Sequence, residues 1–527
     1  MVAMDVIRSR RSARSHAFLS IPPFPRRRYD GFVLSAIAGN LSDETLDELA
    51  ELIREARVGG CYWGAQPVPG DFPDHLGPDD LATLGADVDP WHLLSAAREI
   101  SCDPGGDHYL IAGLLGVPVR RPGSAAPARP LGRQELRPLL KAALGGFLMC
   151  DPFGDEPMSW SEVIALCRQW RELIDANREI AAIYGFAGWK RATTEPLLWG
   201  GSDKQRFDRD PAELTAGQAV AVWRSRTAPA VLSELEASGV RLIEVEDGFI
   251  RSAGLGANCV PPQSIVVDPI GIYFDGRTPS RLEQLLQSGR FTPDLLDRFD
   301  SLQRRITTLG LTKYDSGHQR LDRRSPKPHV LVPAQVEDDR AVLSIDGPPL
   351  TNLELLRRVR AARPDAYVLF KPHPDVEAGH RKGVVPEAVA LQFADEIVRE
   401  GSIASWIDLV DEVHVNSSLA GFEALVRGKA VVTYGVPFYA GWGLTTDLGS
   451  IPPRRTARRS LGELSAATLL LYPRYVDPVT NLPCSAEVAV ARLAHGTRQG
   501  SIGASALVLA RRIVGWLKRR LHRNDPV

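Results

Sequence analysis

The sequence lacks most of the features that mark disulfide-rich, membrane-spanning and nucleic-acid-binding proteins. Its six cysteines include no C-x-x-C pair, which argues against a disulfide framework or a zinc site and favours a reducing cytoplasm. No apolar run reaches the roughly 18 residues of a spanning helix, and the apolar run in the basic N-terminus is too short for a signal peptide. Because the net charge is −1, no overall field points to nucleic acid.

What the sequence does have is length and a regular alternation of patterns. At 527 residues it exceeds one hydrophobic core. Short β-rich runs occur at 219–223, 240–245, 264–268, 329–334, 366–371, 412–416 and 429–435. Helical patterns separate most of them, at 228–238, 279–289, 351–362, 385–400 and 418–427. This alternation predicts an α/β protein with parallel sheets, divided where residues 293–327 lack a β-run, into a first Rossmann-like lobe at 185–300 and a second at 325–475.

A weak internal repeat suggests the origin of the N-terminal region. The pattern D-P-x-x-x-x-P-x-S occurs at 151–159 and again at 477–485. A similar helix–strand pattern precedes each copy, at 108–119 and at 420–432. We therefore predict that residues 1–150 form a mainly helical/α-β region that is a degenerate copy of the second lobe.

Three further segments are assigned from helical spacing. Residues 151–184 are predicted to be a helical linker, and residues 476–500 a closing helix. Residues 501–527 have the spacing of a basic amphipathic helix. Such a helix either lies on an anionic membrane surface or docks on the protein itself.

A first polar cluster, YVLFKPHPD, ends a predicted strand of the second lobe at residues 367–375. Its prolines, which include Pro374, restrict the backbone and hold Lys371 and His373 at the carboxyl end of the strand. Open α/β sheets bind ligands at this end. Lys371 and His373 either meet a phosphate or belong to a rigid surface loop.

A second cluster, HVNSSLAGFEAL, places Ser417 and Ser418 between a strand and a helix. Hydroxyl and free N–H groups at a helix start can bind an anion, but plain N-capping by serine is as common. Glu423, in the first turns of the same helix, either reaches ribose hydroxyls or lies on a solvated face.

Two other stretches leave alternatives open. In LVPAQVEDDRAVL, Gln335 precedes three acids that could hold a metal, although adjacent acids at a helix start are usually solvated caps. The aromatic loop at 434–447 either walls a pocket or is a buried turn.

The stretch SIVVDPIGIYFDGRTPSRLE contains both a candidate cleft and a helix start. Asp268 and Tyr273 could face a cleft, although a structural role is favoured. Ser280 and Glu283 have the spacing of a capping box.

The stretch IEVEDGFIRSAGLG puts Glu246, Asp247 and Arg251 directly after an apolar run of the first lobe. Asp-Gly by itself is a common turn pair. Phosphate-binding groups in one lobe and a reactive carboxylate in the other are, however, the plan of a GT-B glycosyltransferase. We therefore predict a GT-B-like pair of Rossmann-type lobes with parallel sheets.

These motifs resemble those of a known family. EDGFIRSAGLG, DPIGIYFD, PSRLEQLL, VPAQVEDD, YVLFKPHPDVEAGHRKG, EVHVNSSLAGFEALVRGKAVVTYGVPFYAGWGLTTD and YPRYVDPVT are similar, in this order, to motifs of the KpsC (LipA)-like capsule polysaccharide biosynthesis and export family. The resemblance implies a cytoplasmic β-Kdo transferase, Kdo being 3-deoxy-D-manno-oct-2-ulosonic acid. It further implies CMP-Kdo as donor, a lipid-linked Kdo acceptor, and contact with the inner-membrane surface and other capsule assembly proteins. Full-length members carry two transferase modules, and this chain resembles the second.

The resemblance also assigns roles to residues of the reacting centre. Bacterial sialyltransferases share an acid-acid-Gly motif, which matches Glu246, Asp247 and Gly248. This implies that Asp247 meets the reacting sugar, as the nucleophile if the enzyme retains configuration, while Glu246 is the acid/base or a support. Arg251 is assigned to the carboxylate of Kdo, and Gln335 to the sugar.

The CMP site is implied in the same way by a His-Pro motif and a serine motif. Its predicted members are Lys371, His373, Pro374, Ser417, Ser418 and Glu423. We expect no cofactor and no essential metal, because the related sialyltransferases release CMP without a metal clamp. Two alternatives stay open: a non-catalytic capsule assembly or export component with the same fold, and a GT-B transferase that uses another nucleotide sugar.

Overall fold

The computed structural model describes residues 17–494, apart from 30, 37–40, 69, 71, 85–86, 146, 155, 202–204, 251–260, 312–318, 345–349 and 380. The chain forms two compact units. The first comprises Met1–Ile180, Glu195–Arg206 and Pro478–Pro483, and the second comprises Ala181–Thr194, Phe207–Asp477 and Cys484–Val527. The predicted amphipathic helix at 501–527 and Arg251 lie outside the described residues.

The first unit is a mixed α/β body with two small sheets. Its elements are β1 (Val33–Ala36), α1 (Asp43–Ala56), β2 (His75–Leu76), α2 (Pro78–Leu84), α3 (Pro90–Ala96), β3 (Glu99–Ser101), α4 (Asp107–Leu115), β4 (Val119–Arg120), α5 (Arg133–Leu144), β5 (Phe147–Cys150), β6 (Pro157–Met158) and α6 (Trp160–Asp175). Strands β2, β3 and β4 are parallel. Strands β1, β5 and β6 are antiparallel.

A late segment of the chain completes the core of the first unit. The indole N–H of Trp170, a fully buried residue of α6, donates to the carbonyl of Pro483 at 2.8 Å. The side-chain amide of Asn481 donates to the carbonyl of Pro25 at 3.3 Å, and the backbone N–H of Arg28 donates to Thr480 at 2.7 Å. Residues 478–483 therefore belong structurally with residues that precede them by several hundred positions.

The second unit contains two six-stranded sheets. Elements around the first sheet are β7 (Ile180–Tyr184), α7 (Gly188–Leu198), β8 (Ala219–Val222), α8 (Pro229–Ala237), β9 (Arg241–Asp247), β10 (Ser264–Asp268), α9 (Arg281–Ser288) and α10 (Pro293–Thr308), followed late in the chain by β17 (Pro473–Val476), β18 (Pro483–Cys484) and α18 (Ala486–Ala494). The strand order is β18-β17-β10-β9-β8-β7.

Two predictions about this sheet are wrong in part. Strands β8 and β9 are parallel, but β10 is antiparallel to both β9 and β17. Residues 248–263 are rich in glycine and proline and show no pattern for the crossover helix that a parallel return usually needs. The predicted helical linker ends early, because residues 180–184 form β7; a short apolar run of this kind has no decisive period.

The second sheet is fully parallel, as predicted. Its elements are β11 (His329–Pro333), α11 (Arg340–Leu343), α12 (Asn352–Ala362), β12 (Tyr367–Lys371), α13 (Pro374–Glu377), α14 (Glu387–Ala390), β13 (Glu396–Ile397), α15 (Ile403–Leu409), β14 (Glu412–Val415), α16 (Leu419–Val426), β15 (Ala430–Thr433), β16 (Thr446–Asp447) and α17 (Leu461–Ala466). The strand order is β13-β12-β11-β14-β15-β16. The helix predicted at 385–400 is wrong beyond α14, because Asp395 N–H bonds to the carbonyl of Val368 and starts the edge strand β13.

One continuous buried cluster joins residues of both sheets, among them Val266 in β10, Leu331 in β11 and Leu369 in β12. Strands β11 and β12 run in register, so that Pro333 pairs with Lys371 at their carboxyl ends. Because parallel strands end at the same edge, the polar segments that follow β11, β12 and β14 share one edge of the second sheet. None of the described helices combines the length and apolar character needed to cross a bilayer.

Candidate functional site

Lys371 is the last residue of β12 and is half-buried. Its ammonium donates to the carbonyl of Gly401 at 3.0 Å. Burial lowers the pKa of Lys371, since removal from water disfavours the charged form. Lys371, which the sequence predicts to contact a phosphate, therefore lies at the expected sheet edge, where its ammonium is held by a backbone carbonyl.

His373 is the N-cap of α13. Its Nδ1 accepts the backbone N–H of Asp375 at 3.2 Å, so the neutral ring carries its proton on Nε2. Burial lowers the pKa of His373, while the charges of Asp375 and Asp339 act in the opposite direction. The ring can thus offer Nε2–H to an anion, while a second proton would have to go to Nδ1 and displace the N–H of Asp375.

Ser417 and Gln335 hold each other at the same edge. The Gln335 side chain accepts the N–H of Ser417 at 2.8 Å and donates to its hydroxyl at 3.2 Å. The Ser417 hydroxyl lies 3.3 Å from the carbonyl of Ala341. The structure thus brings Gln335, predicted as a sugar ligand, to the predicted nucleotide site.

Ser418 is the N-cap of α16, and its hydroxyl accepts the N–H of Ala420 at 3.3 Å. The capping role weighed from the sequence is therefore observed. Beside it, the side-chain nitrogen of Asn416, a buried residue, has no hydrogen-bond partner in the part of the chain that the structure describes. Glu423 lies further along α16 and lines a cavity of about 30 Å³ with Phe249 and Leu311.

Asp247 is the last residue of β9, in the first sheet. Its Oδ1 lies 3.4 Å from the ammonium of Lys190, and the two side chains are 17% and 5% exposed. The same ammonium lies 3.1 Å from the ring centroid of Trp223, the residue that follows β8. Sequence reasoning missed Lys190; the available signal was a lysine in the first turn of a helix that follows a strand.

Glu246 and Gly248 shape the backbone on either side of Asp247. The carboxylate of Glu246 accepts the N–H of Asp247 at 3.1 Å. A Cβ added to Gly248 would lie 2.2 Å from the hydroxyl of Ser264, so the turn requires glycine. Successive side chains in a strand point to opposite faces, which separates Glu246 from Asp247.

An ion pair joins β9 to the edge of the second sheet. Glu244 accepts from Arg340 at 3.0 Å and from Arg224 at 3.1 Å. Arg340 begins α11, and the next residue, Ala341, is the carbonyl partner of Ser417. The strand that ends in Asp247 therefore contacts the helix that contacts the serine site.

The remaining predicted polar clusters are structural. Asp268 is fully buried, accepts the N–H groups of Ile270, Gly271 and Arg281, and bonds to the hydroxyl of Tyr472 at 2.7 Å. Burial raises the pKa of Asp268. In the described parts of the chain, no group of three or more histidine, cysteine or acidic side chains is arranged to hold a metal ion.

The aromatic loop at 434–447 is a buried turn. Tyr439 and Trp442 are fully buried, and the guanidinium of Arg455 donates to the carbonyls of Pro437 and Ala440 at 2.8 and 2.9 Å. Glu283 pairs with Arg455 at 2.8 Å.

This pairing corrects the prediction of a complete capping box. Ser280 accepts the N–H of Glu283 at 3.1 Å, as a cap does. The carboxylate of Glu283 turns instead to Arg454 and Arg455, because the buried guanidinium of Arg455 needs a counter-charge more than a helix end does.

An open depression of about 520 Å³ lies at the carboxyl ends of β7 and β8. Tyr184, Phe186 and Arg226 are among its lining residues. The Phe186 ring lies 5.2 Å from that of Trp223. One aromatic layer therefore separates this depression from the Lys190–Asp247 pair.

Comparison with known proteins adds to this geometry. The family model described as "Capsule polysaccharide biosynthesis protein" matches residues 218–300 and 303–475. The chain is 40% identical over 311 residues to the capsule polysaccharide modification protein LipA of Neisseria meningitidis serogroup A, which is 58% of this chain and 44% of LipA. It is 40% identical over 276 residues to the lipopolysaccharide-processing protein LpsZ of Rhizobium meliloti, or 51% of this chain and 62% of LpsZ. The chain thus spans about half the length of the curated relatives it matches.

Two solved structures are similar to this chain over about three-fifths of its length. The β-Kdo 2,4 transferase of Thermosulfurimonas dismutans KpsC is 31% identical with a TM-score of 0.51, over 59% of this chain and 98% of that chain. The β-Kdo 2,7 transferase of the same KpsC is 37% identical with a TM-score of 0.49, over 60% and 98%. Fold and site together define an α/β protein whose polar residues collect at the carboxyl ends of parallel strands. The chain belongs to the capsule polysaccharide biosynthesis family.

Proposed function

We propose that this protein is a glycosyltransferase that moves Kdo from CMP-Kdo onto a Kdo-primed lipid or glycan acceptor. The observation that carries the proposal is the Glu244–Arg340 ion pair at 3.0 Å, because it links the strand of Asp247 to the helix that contacts Ser417. In this proposal the two sheets act as the two lobes of a GT-B enzyme. The similarity to the β-Kdo 2,4 transferase of KpsC supports the choice of sugar.

CMP would bind at the edge of the second sheet. Lys371, the Nε2–H of His373 and the start of α16 at Ser417 and Ser418 would stabilise the charge that develops on the departing phosphate. Pro374 would fix the backbone beside His373, and Glu423 would contact the ribose. These donors are bonded to the protein framework before any ligand arrives, which is what electrostatic preorganisation requires.

Asp247 would carry the reaction at the sugar. In a retaining course, its carboxylate oxygen forms a bond to the anomeric carbon of Kdo while the bond from that carbon to the CMP phosphate oxygen breaks, and CMP leaves with the electron pair. The acceptor hydroxyl then attacks the same carbon and loses its proton to solvent water, and the carboxylate of Asp247 is released. Glu246, on the other face of the strand, would support the backbone of Asp247 through the bond to its N–H. Arg251 and Gln335 would hold the donor sugar.

Two further features belong to the proposal. We expect transfer to proceed without a metal, so that a chelator leaves the rate unchanged. The lipid of the acceptor would bring the protein to the inner-membrane surface, with the basic segment 501–527 as the contact and other capsule assembly proteins as neighbours.

The test is transfer from CMP-Kdo, made in situ, to a Kdo-primed lipid mimic. Wild type and the control Glu234→Ala, an exposed site on α8, should form product, whereas Asp247→Ala and His373→Ala should not. Full activity of Asp247→Ala would exclude its role as nucleophile. A wild type that binds CMP without transferring Kdo would favour another CMP-sugar, and a wild type that binds no nucleotide would favour a non-catalytic assembly component.

A further inference from the structure

We propose that Lys190 is a positioning residue that keeps the carboxylate of Asp247 ionised and aimed at the sugar. This inference rests on the proposed function, because it names what prepares the proposed nucleophile. It concerns a residue at the start of α7, beside the first sheet, that no polar motif of the sequence marks.

The location of Lys190 is unfavourable for a lysine. The side chain is only 5% exposed, and burial of an ammonium group is costly unless the charge is compensated. Lys190 also lies in the first turn of α7, where the helix dipole disfavours a positive charge. An apolar side chain at this position would avoid both costs, so stability of α7 does not account for the lysine.

Two contacts at the ends of neighbouring parallel strands compensate the charge. The carboxylate of Asp247 lies 3.4 Å from Nζ at the end of β9, and the ring of Trp223, just beyond β8, lies 3.1 Å from it. A cation over the face of an indole is attracted by the electrons of the ring. The ammonium is therefore fixed against both strand ends, and with it the direction of the carboxylate.

The backbone of Lys190 is anchored as well. The hydroxyls of Thr193 and Thr194 donate to its carbonyl at 3.4 and 3.0 Å. The backbone from which the side chain projects is thus held in place, while Asp247 and Trp223 hold its ammonium end. A nucleophile attacks well only from a narrow range of positions, so a fixed partner for Asp247 has a direct use.

The chemical consequence is a carboxylate that stays ionised to lower pH. A positive charge in contact with a carboxyl group favours its charged form. Only the charged form of Asp247 can attack the anomeric carbon. A buried ion pair by itself is weak evidence for a contribution to stability, which leaves preparation of the nucleophile as the better use of this pair.

The experiment compares pH–rate profiles of Kdo transfer for wild type, Lys190→Met, Lys190→Gln and Lys190→Arg, with CMP affinity measured in parallel. We expect Lys190→Met to transfer on the order of 10²-fold more slowly at pH 7, since small misplacements near reacting atoms cost about that much. Its acidic limb should move up by about one pH unit or more. Lys190→Arg should restore the position of the limb, and all variants should bind CMP as wild type does.

Each outcome decides between the two claims. A wild type that transfers no Kdo defeats the proposed function, whatever the variants do. An active wild type with a Lys190→Met profile that matches it in rate and in acidic limb overturns the role of Lys190 alone. Lys190→Gln is read in the same way if the methionine variant does not fold, and failure of both to fold assigns Lys190 to stability and overturns the inference.

Discussion

Two segments of this protein share one local plan and differ in what they offer a ligand. In the first unit, β3, α4 and β4 form a parallel strand–helix–strand, and in the second unit β14, α16 and β15 do the same. Each helix is followed by a glycine in the left-handed region, Gly116 with φ 75° and Gly428 with φ 71°. The predicted duplication is consistent with this match and stays a prediction.

The difference lies between the strand and the helix. In the second unit Asn416, Ser417 and Ser418 fill that turn, and Ser418 caps α16. In the first unit the turn is CDPGG, and α4 begins after Gly106 without a side-chain cap. The same backbone plan therefore carries fixed hydroxyl and amide groups in one unit only, which shows that the fold alone does not make the site.

The largest expected effect comes from replacing one buried histidine in each unit by alanine. Burial lowers the pKa of both His373, at the second-sheet edge, and His108, in α4. We expect His373→Ala to lower kcat/KM for CMP-Kdo on the order of 10²- to 10³-fold, since it removes a donor to the leaving phosphate. His108→Ala should leave kcat/KM unchanged. If steady-state assays show equal losses for both variants, the claim that only the second unit binds the donor is contradicted.

A smaller effect is expected from the support of Ser417. Gln335→Leu removes the acceptor of the Ser417 N–H, which is bonded at 2.8 Å. Because Ser417 then loses the contact that holds it in place for the phosphate, CMP should bind roughly tenfold more weakly by calorimetry, a loss of about 1.4 kcal/mol. Glu234→Ala, at an exposed site on α8, is the control; if Gln335→Leu binds CMP like wild type, Ser417 is not part of the site.

The pH dependence of CMP binding sharpens the comparison further. Because burial holds the pKa of free His373 below its ordinary value, the ring is neutral at pH 7. A bound phosphate favours the charged ring, whose second proton goes to Nδ1 in place of the hydrogen bond from the Asp375 N–H. Binding therefore takes up protons, and affinity should rise as the pH falls from 8 to 6.5. Calorimetry in buffers of different ionisation enthalpy should find uptake of up to about one proton. His108→Ala should keep this uptake and His373→Ala should lose it; uptake in both would place the proton elsewhere.

The smallest effect concerns the two helix starts. Ser418→Ala removes a cap that accepts the N–H of Ala420 at 3.3 Å, which should cost about 1 kcal/mol of local stability. Gly106→Ser should add a few tenths of a kcal/mol to α4, since serine is a slightly better N-cap than glycine. Amide hydrogen exchange in the first turn of each helix measures both, and protection that stays the same in α16 would contradict the capping role.

The elements that the sequence predicted well are those whose local pattern agrees with their final environment. Strands β11 and β12 are buried on both faces and contain the continuous apolar runs VLV and VLF, and β14 is buried from Val413 to Val415. The polar residues that follow them end at one sheet edge because the sheet is parallel. Strand β7 could not be predicted, because the run IAAIY is as compatible with a helix as with a strand.

The features that the sequence could not supply are contacts between distant residues. Lys190 and Asp247 are 57 positions apart, and Glu244 and Arg340 are 96 apart. The residues around Lys190 in the sequence do not indicate a carboxylate partner, because each pair forms only when separate strands and helices pack together. Asp247 was a candidate from the sequence, whereas Glu244 and the two cationic partners needed the fold.

The late segment at 478–483 has a consequence for how the chain is made. The indole N–H of Trp170 bonds to the carbonyl of Pro483, which is synthesised 313 positions later in the chain. At the roughly 5–20 residues per second of translation, this interval lasts roughly 15–60 s. During that time the first unit has been synthesised but lacks a piece of its core. A ribosome stalled in the second unit would therefore leave both units incomplete, which predicts that nascent chains depend on a chaperone until synthesis passes residue 483.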